Sequence, residues 1–522
     1  MAFHRYPKRY IVALMALISL IAAALACSLP GSDNVIEITA TPLGGLMRPT
    51  ETRAAPTETP IRPTPNPTRV SMQASNGTYT VQPGDTLQMI AARFAVPLDT
   101  LAQANGIVDV NQLEVGQTLQ IPSTNQDSST GFKIIPDSEV VFGPSASDFD
   151  VAAYLKLRPG FLRVYSEEIN GELWSGVEII NRVATDYSVN PRLLLALLEY
   201  QSGWLSNPTP DAEETLYPMG VVDPNRQDLY RQTLYAANTL SEGYYGWRYR
   251  GMQATNFTDS STLVFDPGLN AGTVAVQYFF SRVSSQPEWE FDVSEQGFFQ
   301  TYLSLFGDPF RSAVEPLVPS DLQQPVLAYP FPAGEVWFYT GGPHGGYNSG
   351  SAWAAIDFAP PAPPDDLIAR EGYCYISPYY ATAAAPGVVA RSGDGYVILD
   401  LDFDGNEHTG WTLVYLHLSS QDVVQEGTRV NTGDKLGRPS CEGGFSTATH
   451  LHFARRYNGE WIPADCQQCT VQLSAPPMVL SNWRVYLLGG QEYQGTLVHT
   501  KTDELRRAEQ GREDPINQVQ HQ

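Results

Sequence analysis

Positive charge is scarce in this sequence. Its 522 residues include 32 Lys and Arg against 56 Asp and Glu, which gives a formal net charge of -24. Wrapping nucleic acid or adsorbing to an anionic bilayer needs a basic surface, so the composition argues against both functions. Disorder of the whole chain is excluded too, because 42% of the residues are hydrophobic and can supply cores. At roughly 150 residues per domain, the length predicts three or four domains.

Cysteine is scarce as well, and its count of five is odd. One cysteine, Cys27, follows an apolar run at residues 11–26 that is short for a membrane span but suits the core of a signal peptide. The run ends in Ala24-Leu25-Ala26, and small residues before a cysteine resemble the bacterial lipobox. This resemblance implies a signal peptide at residues 1–26 and an exported chain, anchored by lipid on Cys27 at the extracytoplasmic face of the membrane. An ordinary secretory signal is the alternative, and the chain is exported in either case.

Residues 28–76 are rich in proline and threonine, with eight of each. Only ten of these 49 residues have large apolar side chains, too few for burial to offset the entropy lost on ordering them. We therefore expect an extended linker that holds the folded domains away from the anchor.

Residues 77–122 are predicted to form the first folded unit, in the order strand, helix, helix, strand. The motifs Val81-Gln82-Pro83-Gly84-Asp85-Thr86-Leu87, Ala104-Asn105-Gly106 and Val115-Gly116-Gln117 resemble the LysM module. The resemblance implies binding of N-acetylglucosamine polymers such as peptidoglycan, which a single copy would bind weakly. The implied contacts are Gly84, Asp85, Thr86, Asn105, Gly106 and Ile107. A small structural spacer is the alternative.

Residues 131–322 are predicted to be helical. Residues 191–204 resemble the helix that carries the catalytic glutamate of lysozyme-like lytic transglycosylases, but Gln201 stands at the position of the glutamate. Glutamine cannot donate the proton that general acid catalysis requires, and Glu199 lies about 200° away around a helix. The prediction is a lysozyme-like domain without glycosidase activity. Residual glycan binding and a purely structural role both remain open.

The residues that could carry chemistry concentrate in residues 327–498, where apolar runs between Gly and Asp turns predict β-strands. Residues two apart on a strand face the same way, so the two histidines of a His-Leu-His motif would project into one space. Two imidazoles and one carboxylate are enough protein ligands for a catalytic zinc, whose fourth position stays open. The candidate residues, in chain order, are His344, Asp357, His417, His450 and His452.

In this order, the five residues resemble the active site of the lysostaphin, LytM and LasA family of zinc endopeptidases, which cleave peptidoglycan cross-links. The thirteen-residue spacing from His344 to Asp357 resembles the LasA branch. The resemblance implies that His344, Asp357 and His452 bind one Zn2+. It also implies that His450 is the general base, and that His417 orients the attacking water and stabilises the oxyanion.

The acidic stretch Asp400-Leu401-Asp402-Phe403-Asp404-Gly405 resembles the first half of a calcium loop. Trp411 stands where an EF-hand places its closing glutamate, so the match is incomplete. A polar tip between two paired strands is the favoured interpretation.

Four cysteines remain besides the one assigned to lipid. In an exported protein they could form two disulfides in three alternative pairings. We favour Cys374 with Cys441 and Cys466 with Cys469, and a second zinc on the four thiolates is the alternative that an oxidising compartment argues against. Residues 499–522 are polar and charged and are expected to form a disordered tail.

The predicted fold is multidomain: a small βααβ LysM module, an α-helical lysozyme-like domain and a mainly antiparallel β peptidase domain. The main hypothesis is an exported, lipid-anchored zinc metalloendopeptidase that acts on peptidoglycan. A non-catalytic peptidoglycan receptor or activator is the first rival, and the complete ligand set argues against it. A glycosidase acting through the helical domain is the second, and Gln201 argues against it.

Overall fold

The computed structural model describes residues 78–81, 85–93, 96, 98–110, 112–121, 129–466, 475–512 and 515–521. The predicted signal peptide, the lipid site at Cys27 and the linker at residues 28–76 lie outside the described residues. So do Gly84 of the LysM motif and Cys469 of the second expected disulfide.

The LysM segment has the expected order of strands and helices. Its elements are β1 (Thr78–Thr80), α1 (Leu87–Arg93), α2 (Leu98–Ala104) and β2 (Thr118–Gln120). The two strands pair antiparallel, with Tyr79 opposite Leu119. Leu87, Ile90 and Leu101 are fully buried between helices and strands, so this short segment has a core of its own.

The next domain is helical, as predicted, with two short hairpins. Its helices are α3 (Val151–Lys156), α4 (Gly176–Tyr187), α5 (Pro191–Ser202), α6 (Ala212–Leu216), α7 (Leu229–Tyr249), α8 (Ala271–Val283), α9 (Gln286–Asp292) and α10 (Phe298–Phe306). The hairpins are β3 (Ser166–Ile169) with β4 (Glu172–Ser175), and β5 (Ala254–Asn256) with β6 (Thr262–Val264). Among the described residues, no helix combines the length and the apolarity needed to cross a bilayer.

Local sequence explains the central helices of this domain. Helix α4 begins with a capping box, in which Ser175 and Glu178 bond reciprocally to each other's backbone N–H groups. Helix α5 begins with Pro191 at its first position, and it ends at Gly203, whose φ of 65° suits a residue without a Cβ atom. Residues 193–198 of α5 are all buried, which makes this helix the centre of the core.

The two polar residues of α5 that bear on the glycosidase question have structural contacts. Glu199 accepts hydrogen bonds from the backbone N–H groups of Leu205 (2.8 Å) and Ser206 (3.2 Å), and so fixes the turn that follows the helix. The Gln201 amide packs against Gly220, where a Cβ atom would lie 2.9 Å from the amide carbon. Both side chains therefore help to hold the segments next to the helix.

The C-terminal domain is built on a large antiparallel sheet. Its elements are β7 (Val336–His344), β8 (Ala355–Ala359), α11 (Asp365–Glu371), β9 (Ala381–Thr382), β10 (Gly387–Gly393), β11 (Tyr396–Asp400), β12 (Trp411–Leu416), β13 (Arg429–Val430), β14 (Lys435–Gly437), β15 (Leu451–Tyr457), β16 (Glu460–Trp461), β17 (Val479–Leu480), β18 (Trp483–Leu487), β19 (Gly495–His499), β20 (Leu505–Arg507) and β21 (Gln518–Gln520). The main sheet has the order β13-β10-β11-β12-β15-β8-β7-β21, with β16 paired to β15. Strands β17 to β20 form a second sheet, and β9 pairs with β14.

Both faces of the main sheet are covered. Val397 and Tyr415 point into the core of the peptidase domain. On the opposite face, Ile398, Val414 and Ala454 stand in one row across three strands, and they are buried in the same cluster as the helices. The helical domain therefore packs directly on one face of the peptidase sheet.

Charged groups are buried where the two domains meet. Glu460, which is fully buried, accepts hydrogen bonds from Arg248 Nε (2.6 Å) and from the Tyr244 hydroxyl (3.1 Å) of α7. Asp186 of α4 accepts from Arg391 Nη1 (2.9 Å) and from the Tyr347 hydroxyl (3.1 Å). Removing one partner of a buried ion pair strongly destabilises a fold, because the other charge is left buried and unpaired. These contacts therefore hold the two domains in one specific arrangement.

The expectation of a disordered tail after residue 499 is wrong. Strand β21 pairs with β7, placing Val519 opposite Trp337, and Val519 is buried. Arg512 donates to the Pro360 carbonyl (2.7 Å) and to the Tyr375 hydroxyl (3.0 Å). A polar composition does not exclude a strand, because strand pairing uses backbone N–H and C=O groups that polar residues also have. The sheet consequently extends beyond residue 498, the expected end of the domain.

One expected disulfide and the acidic stretch both lie within the described residues. Cys374 and Cys441 form the expected disulfide, with their Cα atoms 5.4 Å apart. The acidic stretch forms the connection between the paired strands β11 and β12, and buried Asp400 accepts from the N–H groups of Asp402 (3.1 Å) and Gly405 (2.8 Å). This carboxylate therefore organises the tip of the hairpin.

The contact between His408 and Phe142 predicts acid sensitivity of the domain arrangement. The rings stack with centroids 3.6 Å apart, and His408 Nδ1–H donates to the Phe142 carbonyl (3.1 Å). Burial lowers the pKa of His408 from 6.5 to about 4. The unfolded chain therefore takes up a proton between these values before the folded chain does. The contribution of neutral His408 to the free energy of unfolding is fully present above about pH 6.5. It decreases by on the order of 3 kcal/mol as the pH falls to about 4.

The variant His408→Phe keeps an aromatic ring beside Phe142 but cannot be protonated. We expect its unfolding free energy, measured by urea denaturation between pH 7 and pH 4, to fall less steeply than that of the parent chain. All other titrating groups are shared by the two chains, so parallel pH profiles would contradict this assignment.

Candidate active site

Three adjacent strands deliver the predicted metal ligands to one place. His344 is the last residue of β7, Asp357 is the central residue of β8, and His452 is the second residue of β15. In the antiparallel register, Asp357 stands directly opposite His452. The neighbours of Asp357 on β8, Ile356 and Phe358, point into the peptidase core, so the carboxylate points to the opposite face.

The three side chains converge on one point. His344 Nε2 lies 3.0 Å from His452 Nδ1 and 3.3 Å from Asp357 Oδ1, and His452 Nδ1 lies 3.4 Å from the same oxygen. In a tetrahedral zinc site with bonds of about 2.0–2.1 Å, ligand atoms are separated by about 3.3 Å. Asp357 Oδ1 is buried and has no hydrogen-bond partner among the described residues. The donor set and its spacing fit a zinc ion.

Backbone carbonyls fix the orientation of both histidine ligands. His344 Nδ1–H donates to the Gly342 carbonyl (2.8 Å), and His452 Nε2–H donates to the Gly346 carbonyl (2.9 Å). A carbonyl can only accept, so each ring carries its proton on the outer nitrogen. The lone pairs of His344 Nε2 and His452 Nδ1 therefore face the point of convergence.

Electrostatics favour a charged carboxylate, and they shift the pKa values of the two histidine ligands in opposite directions. Burial alone would raise the pKa of Asp357, but the neighbouring His344 and His450 hold it well below its ordinary value. Burial lowers the pKa of His452. Burial would also lower the pKa of His344, but the neighbouring Asp357 raises it above its ordinary value. An ionised aspartate and a neutral imidazole are the forms that bind a metal.

The two predicted catalytic histidines lie beside these ligands. His450 Nε2 is 3.6 Å from Asp357 Oδ1, and the ring centroids of His450 and His417 are 4.5 Å apart. His450 Nδ1–H donates to the Ala448 carbonyl (2.8 Å), and His417 Nδ1–H donates to the Glu442 carbonyl (2.9 Å). Each ring consequently has its Nε2 lone pair available. Burial, followed by the nearby histidines, lowers the pKa of His417 to about 3, so this ring is neutral.

The structure thus brings all five predicted residues together, and it adds contacts that sequence reasoning missed. The Tyr493 ring stacks on His344 with centroids 4.3 Å apart, and Glu492 accepts a hydrogen bond from Gly345 N–H (3.0 Å). Both residues come from the segment between β18 and β19. His417 has a φ of 61°, in the left-handed region that side-chain-bearing residues seldom occupy.

The site lies on the sheet face that carries the helical domain. In the register of β11, β12, β15 and β8, Tyr396 is opposite Leu416, Leu416 is opposite His452, and His452 is opposite Asp357. Tyr396 and Leu416 belong to the buried cluster of the helices. One row of side chains therefore runs from the interface between the domains to the metal ligands.

The candidate glycan contacts of the LysM segment have internal partners. Thr86 Oγ1 accepts from the Met89 N–H (3.1 Å) at the start of α1. Asn105 bonds to both backbone groups of Gln120, with its Nδ2 donating (2.7 Å) and its Oδ1 accepting (2.6 Å). Asp85 accepts from the Tyr79 hydroxyl (2.6 Å). These side chains hold the turns beside the strands, Gly106 has a φ of 63°, and Ile107 packs on the module core.

We predict that ligand variants lose zinc. Substituting His344→Ala or His452→Ala should weaken zinc affinity more than the roughly 10–100-fold that an outer hydrogen-bond partner contributes. Zinc content after dialysis, measured by atomic absorption, reports the loss. His499→Ala, a change in β19 outside the cluster, should leave it unchanged. Retention of zinc by both ligand variants would rule out this site.

Comparison with protein families agrees with the three folded segments. Residues 79–122 match the LysM domain, residues 133–319 match the LasA N-terminal domain, and residues 376–463 match peptidase family M23. The helical segment is therefore a LasA N-terminal domain. The peptidase match includes His417, His450 and His452, and it begins after His344 and Asp357.

Two curated relatives and two solved structures are similar to this chain. Protease LasA from Pseudomonas aeruginosa, in strains UCBPP-PA14 and PAO1, is 28% identical over an aligned length of 348 residues, and the alignment covers 62% of this chain and 74% of that protein. The deep-sea M23 metalloprotease pseudoalterin is 20% identical over 36% of this chain and 96% of its own, with a TM-score of 0.26. The catalytic domain of lysostaphin from Staphylococcus simulans is 27% identical over 23% and 80%, with a TM-score of 0.17. TM-scores this low carry no structural argument.

The domain matches and the LasA relatives indicate an extracellular or cell-envelope protein with a metalloendopeptidase function related to peptidoglycan. The cluster of candidate metal ligands on the sheet, His344, Asp357 and His452, is consistent with that chemistry. The chain is a multidomain peptidase similar to protease LasA, in which a LysM domain and a helical LasA N-terminal domain precede an antiparallel M23 domain.

Proposed function

We propose that this chain is a zinc-dependent endopeptidase that hydrolyses the peptide cross-links of peptidoglycan. The observation that carries the proposal is the convergence of His344 Nε2, Asp357 Oδ1 and His452 Nδ1 within 3.0–3.4 Å of one another. Three protein donors leave one position of a tetrahedral ion open, as in catalytic rather than structural sites. When bound, zinc would lower the pKa of a water ligand and polarise the carbonyl of the substrate.

His450 is the best placed general base. Its Nδ1–H is held by the Ala448 carbonyl, so Nε2 can accept a proton. Asp357 Oδ1, 3.6 Å from that nitrogen, would stabilise the positive charge that the ring acquires. The His450 side chain is also 20% exposed, which allows substrate and water to approach it.

His417 suits the orientation of the attacking water. Its Nδ1–H donates to the Glu442 carbonyl, which makes Nε2 an acceptor in the neutral ring. Burial lowers the pKa of His417 to about 3 and thereby disfavours a positive charge on this ring. Stabilisation of an oxyanion needs a donor, so that role would require His417 to take up a proton during the reaction.

Binding elements outside the active site support peptidoglycan as the substrate. The LysM domain, with Gly84, Asp85, Thr86, Asn105, Gly106 and Ile107 as candidate contacts, would retain the enzyme on N-acetylglucosamine polymers. Lipid on Cys27 would hold it at the outer side of the membrane. The net charge of -24 leaves little attraction to anionic wall polymers, so retention depends on these two elements.

The central prediction is that the wall is cut at peptide bonds. Digestion of purified peptidoglycan should release new amino groups, and a chelator should stop their release. His450→Ala should lower kcat by about 10²–10⁴-fold because the general base is lost, while zinc content stays near that of the parent chain. Mass spectrometry of the released fragments identifies the bonds that are cut.

Gln201→Ala is the matched control, because it changes the helical domain where a glycosidase would need its acid. It should cleave like the parent chain. New reducing or anhydro sugar ends would point to a glycosidase instead, and the absence of any product would point to a binding protein. Full cleavage by the His450 variant would refute the mechanism.

The anchor can be tested separately from catalysis. Cys27→Ser removes the thiol that would carry lipid, so the chain should move from the membrane fraction to the soluble fraction of the producing cells. Cleavage of soluble peptidoglycan fragments should be unaffected. Immunoblots of the two fractions report the change, and an unchanged distribution would show that no lipid is attached at this residue.

A further inference from the structure

The carbonyl of Gly346 determines the orientation of the His452 imidazole ring. It accepts the Nε2–H of His452 (2.9 Å), and this bond leaves Nδ1 free to face His344 and Asp357. Gly346 belongs to the loop at residues 345–354, which joins β7 to β8. Its own N–H donates to the Ala352 carbonyl (3.0 Å), so the carbonyl moves only if this loop moves.

The indole of Trp461 lies directly on Gly346. A Cβ atom built on Gly346 would lie 2.4 Å from Trp461 Cε3, so only glycine fits beneath the ring. Trp461 is 1% exposed and belongs to β16, whose pairing with β15 places it opposite Arg456. The indole is therefore attached to the strand that carries His452, and it limits the position of the carbonyl to which that histidine donates.

The helical domain holds Trp461 from the other side. The backbone N–H of Trp461 donates to the Tyr245 hydroxyl of α7 (3.1 Å), and the indole Nε1–H donates to the Tyr187 carbonyl at the end of α4 (3.4 Å). The loop is held by the same helices, because Asn238 Oδ1 accepts from Gly350 N–H (3.0 Å). Immediately after α7, Arg250 Nη1 donates to the Ser351 carbonyl (2.8 Å).

We infer that Trp461 is a positioning residue for the metal ligand His452, and that the helical domain supports the metal site through it. Strand pairing fixes the backbone of His452 but not the rotation of its ring. The Gly346 carbonyl fixes the His452 ring, and the Trp461 indole limits the position of that carbonyl. Trp461 is itself held by Tyr187 at its indole Nε1–H and by Tyr245 at its backbone N–H. This inference rests on the proposed zinc site and adds the helical domain to the groups on which it depends.

The first test measures metal affinity in the full chain, without using activity. Trp461→Leu keeps an apolar side chain but removes the indole ring that covers Gly346, together with its N–H group. We expect its affinity for Co2+, followed by the visible absorption of the bound ion, and for Zn2+, by competition, to fall about 10–100-fold. The shape of the cobalt spectrum should change as well, because the ligand geometry relaxes.

Trp411→Leu is the matched control. Trp411 is also a buried tryptophan on the main sheet, and its Nε1–H also donates to a backbone carbonyl, that of Gln323 (3.1 Å). It stands at the opposite end of β12 from the residue paired with His452. Its loss should lower the melting temperature as the Trp461 variant does, but leave metal affinity and the cobalt spectrum unchanged.

A double-mutant cycle tests the contact between the two residues. Gly346→Ala should weaken metal binding because the added methyl group meets the indole. In Gly346→Ala combined with Trp461→Leu the methyl group has space, so the double variant should bind metal more tightly than the sum of the two losses predicts. Gly131→Ala, where the nearest atom to the new Cβ is 3.5 Å away, controls for the substitution itself.

The outcomes separate this inference from the proposed function. If the parent chain binds neither Co2+ nor Zn2+, the proposed function fails. If it binds them and Trp461→Leu binds equally well with the same spectrum, the inference is overturned while the proposed function stands. Tyr245→Phe with Asn238→Ala should give a smaller loss of affinity, and no loss would overturn the contribution of the helical domain.

Discussion

The antiparallel register between β8 and β15 is the constraint on which the rest of the site depends. It places Asp357 opposite His452, and the pairing of β7 with β8 brings His344 to the same point. A shift of one residue would turn the carboxylate into the apolar core and bring Ile356 or Phe358 to the metal. The apolar residues on either side of each ligand therefore help to specify the chemistry, because their burial makes every other register costly.

The same alternation explains why the helical domain and the active site are neighbours. Side chains on one face of β11, β12 and β15 include Ile398, Val414 and Ala454, which pack among the helices. His452 is two residues before Ala454 on that face. Buried charges such as Glu460 with Arg248 add directional contacts to this apolar packing. The two domains share a surface that ends at the metal ligands, so a change at their interface can reach the site.

Much of the architecture and the candidate site could be predicted from the sequence, because side-chain chemistry at fixed spacing carried the signal. Four of the five residues from His344 to His452 are histidines, of which the chain has only eight, and the five follow a recognisable order. The carbonyl groups of Gly346 and Glu442 could not be found this way, since every residue has a carbonyl. The closing strand β21 was missed because only Val519 of its three residues is apolar.

The sequence also carries a signal for the packing of the domains. Strands β11 and β12 contain unbroken apolar runs, such as Tyr396-Val397-Ile398-Leu399. A strand of an antiparallel sheet with one solvent-exposed face would alternate between apolar and polar residues. Continuous apolar runs therefore indicate that both faces are covered, and the second cover is the helical domain.

The left-handed backbone at His417 affects how substitutions there should be understood. Histidine already bears the cost of about 1–2 kcal/mol that a φ of 61° imposes on a residue with a Cβ atom, and alanine would lose the imidazole without relieving that cost. Asparagine tolerates that conformation better and is the cleaner replacement. The turn after β12 thus fixes both the backbone conformation of His417 and the place from which its imidazole projects.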